Sequence, residues 1–241
     1  ELALRTSNSA FGVVDGLALI GTQAEVQTSA SPDQLQSARD RLRELTDQIG
    51  FQGRLTLVIG ENGLDLAQQL GLSDQQPLLK SGNWIGPLLV AAAEAGVRHL
   101  LLLGYHGKLI KLAGGIFHTH HHLADARLEV LAALAVQQGL GLESIRALLQ
   151  NSSIEEAWCW LRAHDEAQAM GLWMAMAEAV EGRSEAYLKR YGCIGMRVGA
   201  ALFNRDRQLR WAGPEGSLML GHCGIPLSPV PPESDQGPSL R

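Results

Sequence analysis

The densest chemistry in this 241-residue sequence lies between residues 104 and 129, GYHGKLIKLAGGIFHTHHHLADARLE. Five of the eight histidines fall there: His106, His118, His120, His121 and His122. Imidazole exchanges protons near neutral pH, and it also binds zinc, iron, nickel and cobalt. The spacing argues against a protein-held metal. It lacks the H-E-x-x-H pattern that sets two ligands and a base on one helical face. Adjacent side chains diverge, and no cysteine lies close enough to complete a four-ligand structural site. These histidines are therefore read as hydrogen-bonding groups and proton acceptors. Asp125 suits a cap for the following helix or an orienting partner for a neighbouring histidine. Lys108 and Lys111 stand three apart, so on a helix they share a face. With Arg127 they make a local positive patch on a chain of net charge −5. Such a patch suits a substrate bearing several carboxylates.

Those residues need elements to hold them. RLTLVIG (54–60), QPLLK (76–80) and RHLLLLGY (98–105) are short apolar runs with helical stretches between them. Strands alternating with helices predict βαβ units and a parallel sheet, and strands apolar on both sides predict helices on both faces. The expected class is α/β, with a Rossmann-like, mostly parallel sheet. Ligands of such sheets bind outside the carboxyl ends of the strands. Three turns fall there: Gly60-Glu61-Asn62-Gly63, Lys80-Ser81-Gly82-Asn83 and Gly104-Tyr105-His106-Gly107-Lys108. Together they predict a binding cleft. Neither G-x-G-x-x-G nor G-K-[ST] occurs, so no phosphate-binding signature is present.

Elsewhere, residues 32–49 are amphipathic at helical spacing, and residues 11–27 read as strand pieces with tight turns. The sheet is expected to end near residue 150. A helical segment covers 153–191, with Ser152 or Ser153 and Glu156 resembling a capping box, and with Ile154, Trp158 and Leu161 as core. CIGMRVGAALFN and QLRWAG read as a C-terminal β-hairpin around RDR. The boundaries read as 1–30, the end of a preceding α+β domain or linker strands; 31–220, the α/β domain; and 221–241, a disordered tail with five of the nine prolines.

Composition excludes other classes. Hydrophobic residues are 46% and charged ones 19%, as in a folded chain. The 25 acidic and 20 basic residues disfavour nucleic acid and anionic membranes as partners. No apolar run reaches the ~18 residues of a membrane span. Cys159, Cys193 and Cys223 are far apart, which fits a reducing compartment, the cytoplasm. No signal peptide is read, and the opening ELALRTSN reads as the middle of a longer protein.

KSGNWIG (80–86), GKLIKLAGGIFHTH (107–120) and ADARLE (124–129) resemble the cobalt-precorrin-5B C(1)-methyltransferase family of anaerobic cobalamin biosynthesis. LALIGTQAEVQTSASPDQL (17–35) and GAALFNRDRQL (199–209) are similar to further blocks of it. The resemblance covers roughly 10–215, the family's C-terminal portion. Its N-terminal domain with a G-F-T-T-G-T motif has no match here. Other departures are Tyr105 where the family carries His, Gly82 for a frequent Ser, and the HHH run after Thr119. The resemblance implies transfer of a methyl group from S-adenosyl-L-methionine to C-1 of a corrinoid. The cobalt then belongs to the substrate, and no protein-bound metal is needed. It implies His120 and Asp125 as catalytic residues, and Asn83, His106, Lys108, Lys111 and Arg127 as substrate contacts. Gly60, Asn62, Gly63 and Gly104 are the expected cofactor contacts. A homo-oligomer is compatible with this reading. The alternative is a non-catalytic tetrapyrrole- or metal-binding module, favoured by the histidine run and the unmatched domain.

Overall fold

The computed structural model describes residues 32–120 and 124–227. The strand pieces expected within 11–27, the expected domain end at 1–30, His121 and His122, and residues 228–241 of the expected tail lie outside the described residues. The three apolar runs form neighbouring parallel strands: β1 (Arg54–Ile59), β2 (Leu78–Ser81) and β3 (His99–Tyr105). The sheet does not end near residue 150. A fourth strand, β4 (Arg197–Phe203), runs parallel to β3 along its whole length, with Leu100 opposite Val198 and Leu103 opposite Ala201. A fifth, β5 (Leu209–Ala212), turns back antiparallel to β4, so the expected hairpin is part of the main sheet. The order is β2-β1-β3-β4-β5. Pairing between segments this far apart in sequence leaves no local signal, which is why the strand was legible and its neighbour was not.

Side chains alternate between the two faces of a strand. Leu55, Leu57, Leu100, Leu102, Ala200 and Leu202 belong to one core, and Val58, Leu101, Leu103, Ala201 and Phe203 to the other. Helices α1 (Pro32–Thr46), α2 (Glu61–Gln69), α3 (Leu72–Gln75) and α4 (Ile85–Glu94) surround the first three strands. The chain steps outward from β1 to β2, then back across β1 to β3. Crossovers of one hand must then place their helices on opposite faces. They do: Leu66 and Ala67 of α2 join the core of Val58, while Leu88 and Leu89 of α4 join that of Leu57.

After β3 the chain enters α5 (His106–Ala113), then α6 (Arg127–Gln137), α7 (Leu142–Leu149) and α8 (Ile154–His164). The capping box is present: Ser153 Oγ accepts from the Glu156 N–H, and the Glu156 carboxylate accepts from the Ser152 N–H at 2.9 Å. Asp165 caps the 25-residue α9 (Glu166–Arg190) by accepting from the Gln168 N–H at 2.9 Å, which splits the expected helical segment in two. Trp158 is core as expected, with its ring centroid 5.1 Å from Trp173 and 4.6 Å from Trp211. A last helix, α10 (Pro214–His222), covers the Phe203 face, and Ile225 is buried after it. Among the described residues, no helix is long and apolar enough to cross a membrane.

Candidate functional site

The strand order reverses between β1 and β3, and a crevice opens outside the carboxyl ends of strands at such a point. Here it is a cleft of about 1220 Å³. Each expected turn contributes: Gly60 and Glu61 after β1, Lys80 to Asn83 at the end of β2, and Gly107, Lys108 and Lys111 after β3. Thr119, His120, Asp125 and Arg127 close one end, and Asp33, Ser37 and Arg41 of α1 line another side. Gly60 enters α2 with φ 78°, a left-handed value that a side chain would strain. The Lys108 ammonium lies 3.7 Å from where its Cβ would stand.

The cleft is held by a short antiparallel bridge between Trp84 and His118. It lets the Thr119 N–H donate to Asn83 O at 3.0 Å and the Thr119 hydroxyl donate to Asn83 Oδ1 at 3.1 Å. Asn83, Thr119 and His120 are all buried yet face the cleft. His118 points elsewhere, edge-on to Trp84 at 4.4 Å. The loop that follows is fastened by Lys111, whose ammonium donates to Thr119 O at 3.2 Å and to Ala124 O at 2.7 Å. Burial pushes that ammonium below its usual pKa. Asp125 opposes the shift, and Arg127 and Lys108 reinforce it.

Two of the rim cations, Arg127 and Lys80, are paired. Arg127 Nε and Nη2 both donate to the Asp125 carboxylate at 2.7 Å. That guanidinium holds the Asp125 carboxyl below its usual range. Asp125 thus orients Arg127, and the Arg127 N–H reaches Asp125 Oδ1 only at 3.4 Å. Lys80 pairs with Glu61. Lys108 is exposed and has no ion-pair partner among the described residues.

The structure gathers Gly60, Asn83, Lys108, Lys111, His120, Asp125 and Arg127 around one cleft. It sets four expected residues apart. His106 is fully buried and does not line the cleft. Its Nδ1 accepts from the Trp173 indole N–H at 2.7 Å, so its proton sits on Nε2, 2.8 Å from Glu155 Oε2. Glu155 also accepts from Tyr105 Oη at 3.3 Å and from the Arg205 N–H at 2.9 Å. His106 therefore anchors the start of α5. Asn62 accepts from Arg207 at 2.9 Å, beside Asp65. Gly63 packs under Leu103 O and Val58, and Gly104 sits against Ile59 and Leu109. These two glycines serve close packing between helix and sheet.

Sequence reasoning left out Thr119 and the polar face of α1. Thr119 lies inside a quoted motif, so spacing could have found it. Nothing local marks α1 as a wall of a cleft built from strands that follow it. Glu155 lies 49 residues from its partner His106, beyond any local pattern.

Residues 118–214 match the family model described as CbiD, C-terminal domain. The chain is 65% identical over 225 residues to a protein of Prochlorococcus marinus (strain MIT 9313) named cobalt-precorrin-5B C(1)-methyltransferase, covering 93% of this chain and 58% of that relative. A protein of the same name from Synechococcus sp. (strain CC9902) is 65% identical over 214 residues, 89% of this chain and 58% of its own length. A third from Prochlorococcus marinus (strain NATL2A) is 52% identical over 227 residues. The chain thus spans somewhat more than half the length of these relatives. No solved structure matches it. The motifs between residues 80 and 129 and the comparisons converge: residues 118–214 carry the CbiD C-terminal domain match, within a chain similar over most of its length to cobalt-precorrin-5B C(1)-methyltransferases.

Proposed function

We propose that this chain forms the reactant cleft of a methyltransferase of cobalamin biosynthesis, methylating C-1 of a corrinoid with S-adenosyl-L-methionine as co-substrate. The observation that carries the reading is the cleft at the strand ends, with its cations and buried polar groups. Its volume of about 1220 Å³ exceeds the ~300–1,000 Å³ of ordinary small-molecule sites, as a macrocycle with a second reactant requires. When bound, S-adenosyl-L-methionine supplies a methyl group already activated on a sulfonium. The protein then needs mainly to position the reactants and exclude water.

In this reading Lys108 and Arg127 meet carboxylates of the corrinoid, and Asp125 holds the Arg127 guanidinium at the angle that meets them. Asn83 contributes its amide beside the ring. His120 takes or holds a proton on the acceptor ring system. Gly60 lets a reactant approach the backbone at the start of α2. A corrinoid polycarboxylate titrated against the chain, followed by its visible absorbance, tests the reading. Lys108→Ala combined with Arg127→Ala should weaken binding roughly tenfold, the sum of two solvent-accessible charge contacts. Unchanged affinity in the double variant would remove the electrostatic argument.

A further inference from the structure

We propose that Lys111 forms a carboxylate subsite at the floor of the cleft, separate in role from the rim cations Lys108 and Arg127. The proposal rests on the methyltransferase reading above. Lys111 is only 3% exposed, yet it lines the cleft. An ammonium has three N–H donors. Two are taken by Thr119 O and Ala124 O, and the third has no acceptor among the described residues. No carboxylate pairs with Lys111 among them either. Asp125, the near one, is engaged by both sides of the Arg127 fork. A buried cation without a counter-ion is costly, and an anion in the cleft relieves that cost.

The two carbonyls fix the ammonium in place without neutralising it. Lys108, one turn earlier, is exposed, with water to screen it. The rim therefore senses total charge. The floor accepts one carboxylate in one orientation, through a hydrogen bond strengthened by low local dielectric. Two groups offer that chemistry: the α-carboxylate at the amino-acid end of the methyl donor, and a single acid arm of the corrinoid.

Calorimetric titration of the 241-residue chain separates them. The probes are S-adenosylhomocysteine, 5′-methylthioadenosine (which lacks the amino-acid end) and cobyrinic acid. Lys111→Met should weaken one carboxylate-bearing probe by about 10- to 100-fold, the loss of one charge-assisted hydrogen bond, and leave 5′-methylthioadenosine unchanged. Loss confined to S-adenosylhomocysteine assigns the donor's amino-acid end, and loss confined to cobyrinic acid assigns the ring's arm. Thr119→Ala loosens the same segment but keeps the ammonium, so it should leave the ratio of S-adenosylhomocysteine to 5′-methylthioadenosine affinity unchanged. Equal loss of all three probes in Lys111→Met makes Lys111 a fastener of the loop and overturns the subsite. Unchanged affinity for all three probes in Lys111→Met, with the wild type binding them, overturns the subsite alone. Failure of the wild type to bind either carboxylate-bearing probe overturns the methyltransferase reading and the subsite together.

Discussion

His106 has a proton count fixed by its neighbours. The Trp173 indole N–H already points at Nδ1, so protonating that nitrogen would set two N–H groups face to face. Burial pushes its pKa below the ordinary value, although hydrogen bonding to Glu155 works the other way. Below about pH 6.5 the unfolded chain takes up a proton that the folded imidazole resists. Stability should therefore fall as pH drops from about 6.5, by at most about 1.4 kcal/mol per pH unit from this group, and be flat in this respect above it. Glu155 is held below its usual range; burial opposes that shift, but hydrogen bonds from His106, the Arg205 N–H and Tyr105 outweigh it. Its contribution is likewise lost as pH falls, so the signs agree. Urea midpoints at pH 7.5 and 5.5 should differ less in His106→Gln than in the wild type; equal differences would remove the assignment. Trp173→Phe should cost about 1–3 kcal/mol at pH 7.5, because it leaves Nδ1 buried without a donor. The sequence showed the histidines and lysines but not their partners. His106 and Lys108, two residues apart on α5, end up one inside the core and one in the cleft, which only packing decides.

β1 and β3 were legible because strands buried on both faces are continuous apolar runs. α10 was not, because glycines, a proline and no clear stripe make GPEGSLMLGH resemble a turn. What stabilises it lies on α9. The buried Glu181 carboxylate accepts N–H groups from Ala200 at 2.9 Å, Gly216 at 2.7 Å and Glu215 at 3.1 Å. It joins the start of α10 to the middle of β4. Burial pushes the Glu181 carboxyl up from its usual pKa, and the three N–H groups oppose that. Glu181→Ala should lower stability by about 2–3 kcal/mol, since it leaves buried N–H groups unpaired. Gly216 allows the closest approach: a Cβ there would stand 2.2 Å from Ala200 O, a backbone atom that cannot swing aside. Gly216→Ala should therefore unfold α10 or the whole chain, seen as a lowered thermal midpoint and early amide exchange in β4.

The net charge of −5 repels a polyanion at long range, while the cleft's cations attract it at short range. On the proposed function, corrinoid affinity should thus weaken with salt. From roughly 0.05 to 0.5 M the Debye length shrinks severalfold, and a drop of about tenfold is expected for contacts of this kind. Lys108→Ala should flatten that dependence, because Lys108 is the exposed cation of the group. The α/β class and the strand-end location of the cleft were legible in the sequence, since both follow from the alternation of short apolar runs with helices. The place of β4 beside β3 and the wall formed by α1 were not, because both depend on pairing across distant segments. The β3–β4 pairing also bears on where this protein can be cut. The match to the CbiD C-terminal domain begins at residue 118, just after β3 and α5. A piece beginning there keeps β4 and β5 but loses the strand against which β4 lies from His99 to Tyr105. It also leaves Lys108 and Lys111 behind while retaining His120 and Arg127. A boundary drawn by similarity here cuts across the sheet: residues 118–214 alone should aggregate through the bared edge of β4, and should dissolve again when residues 32–117 are supplied as a separate peptide.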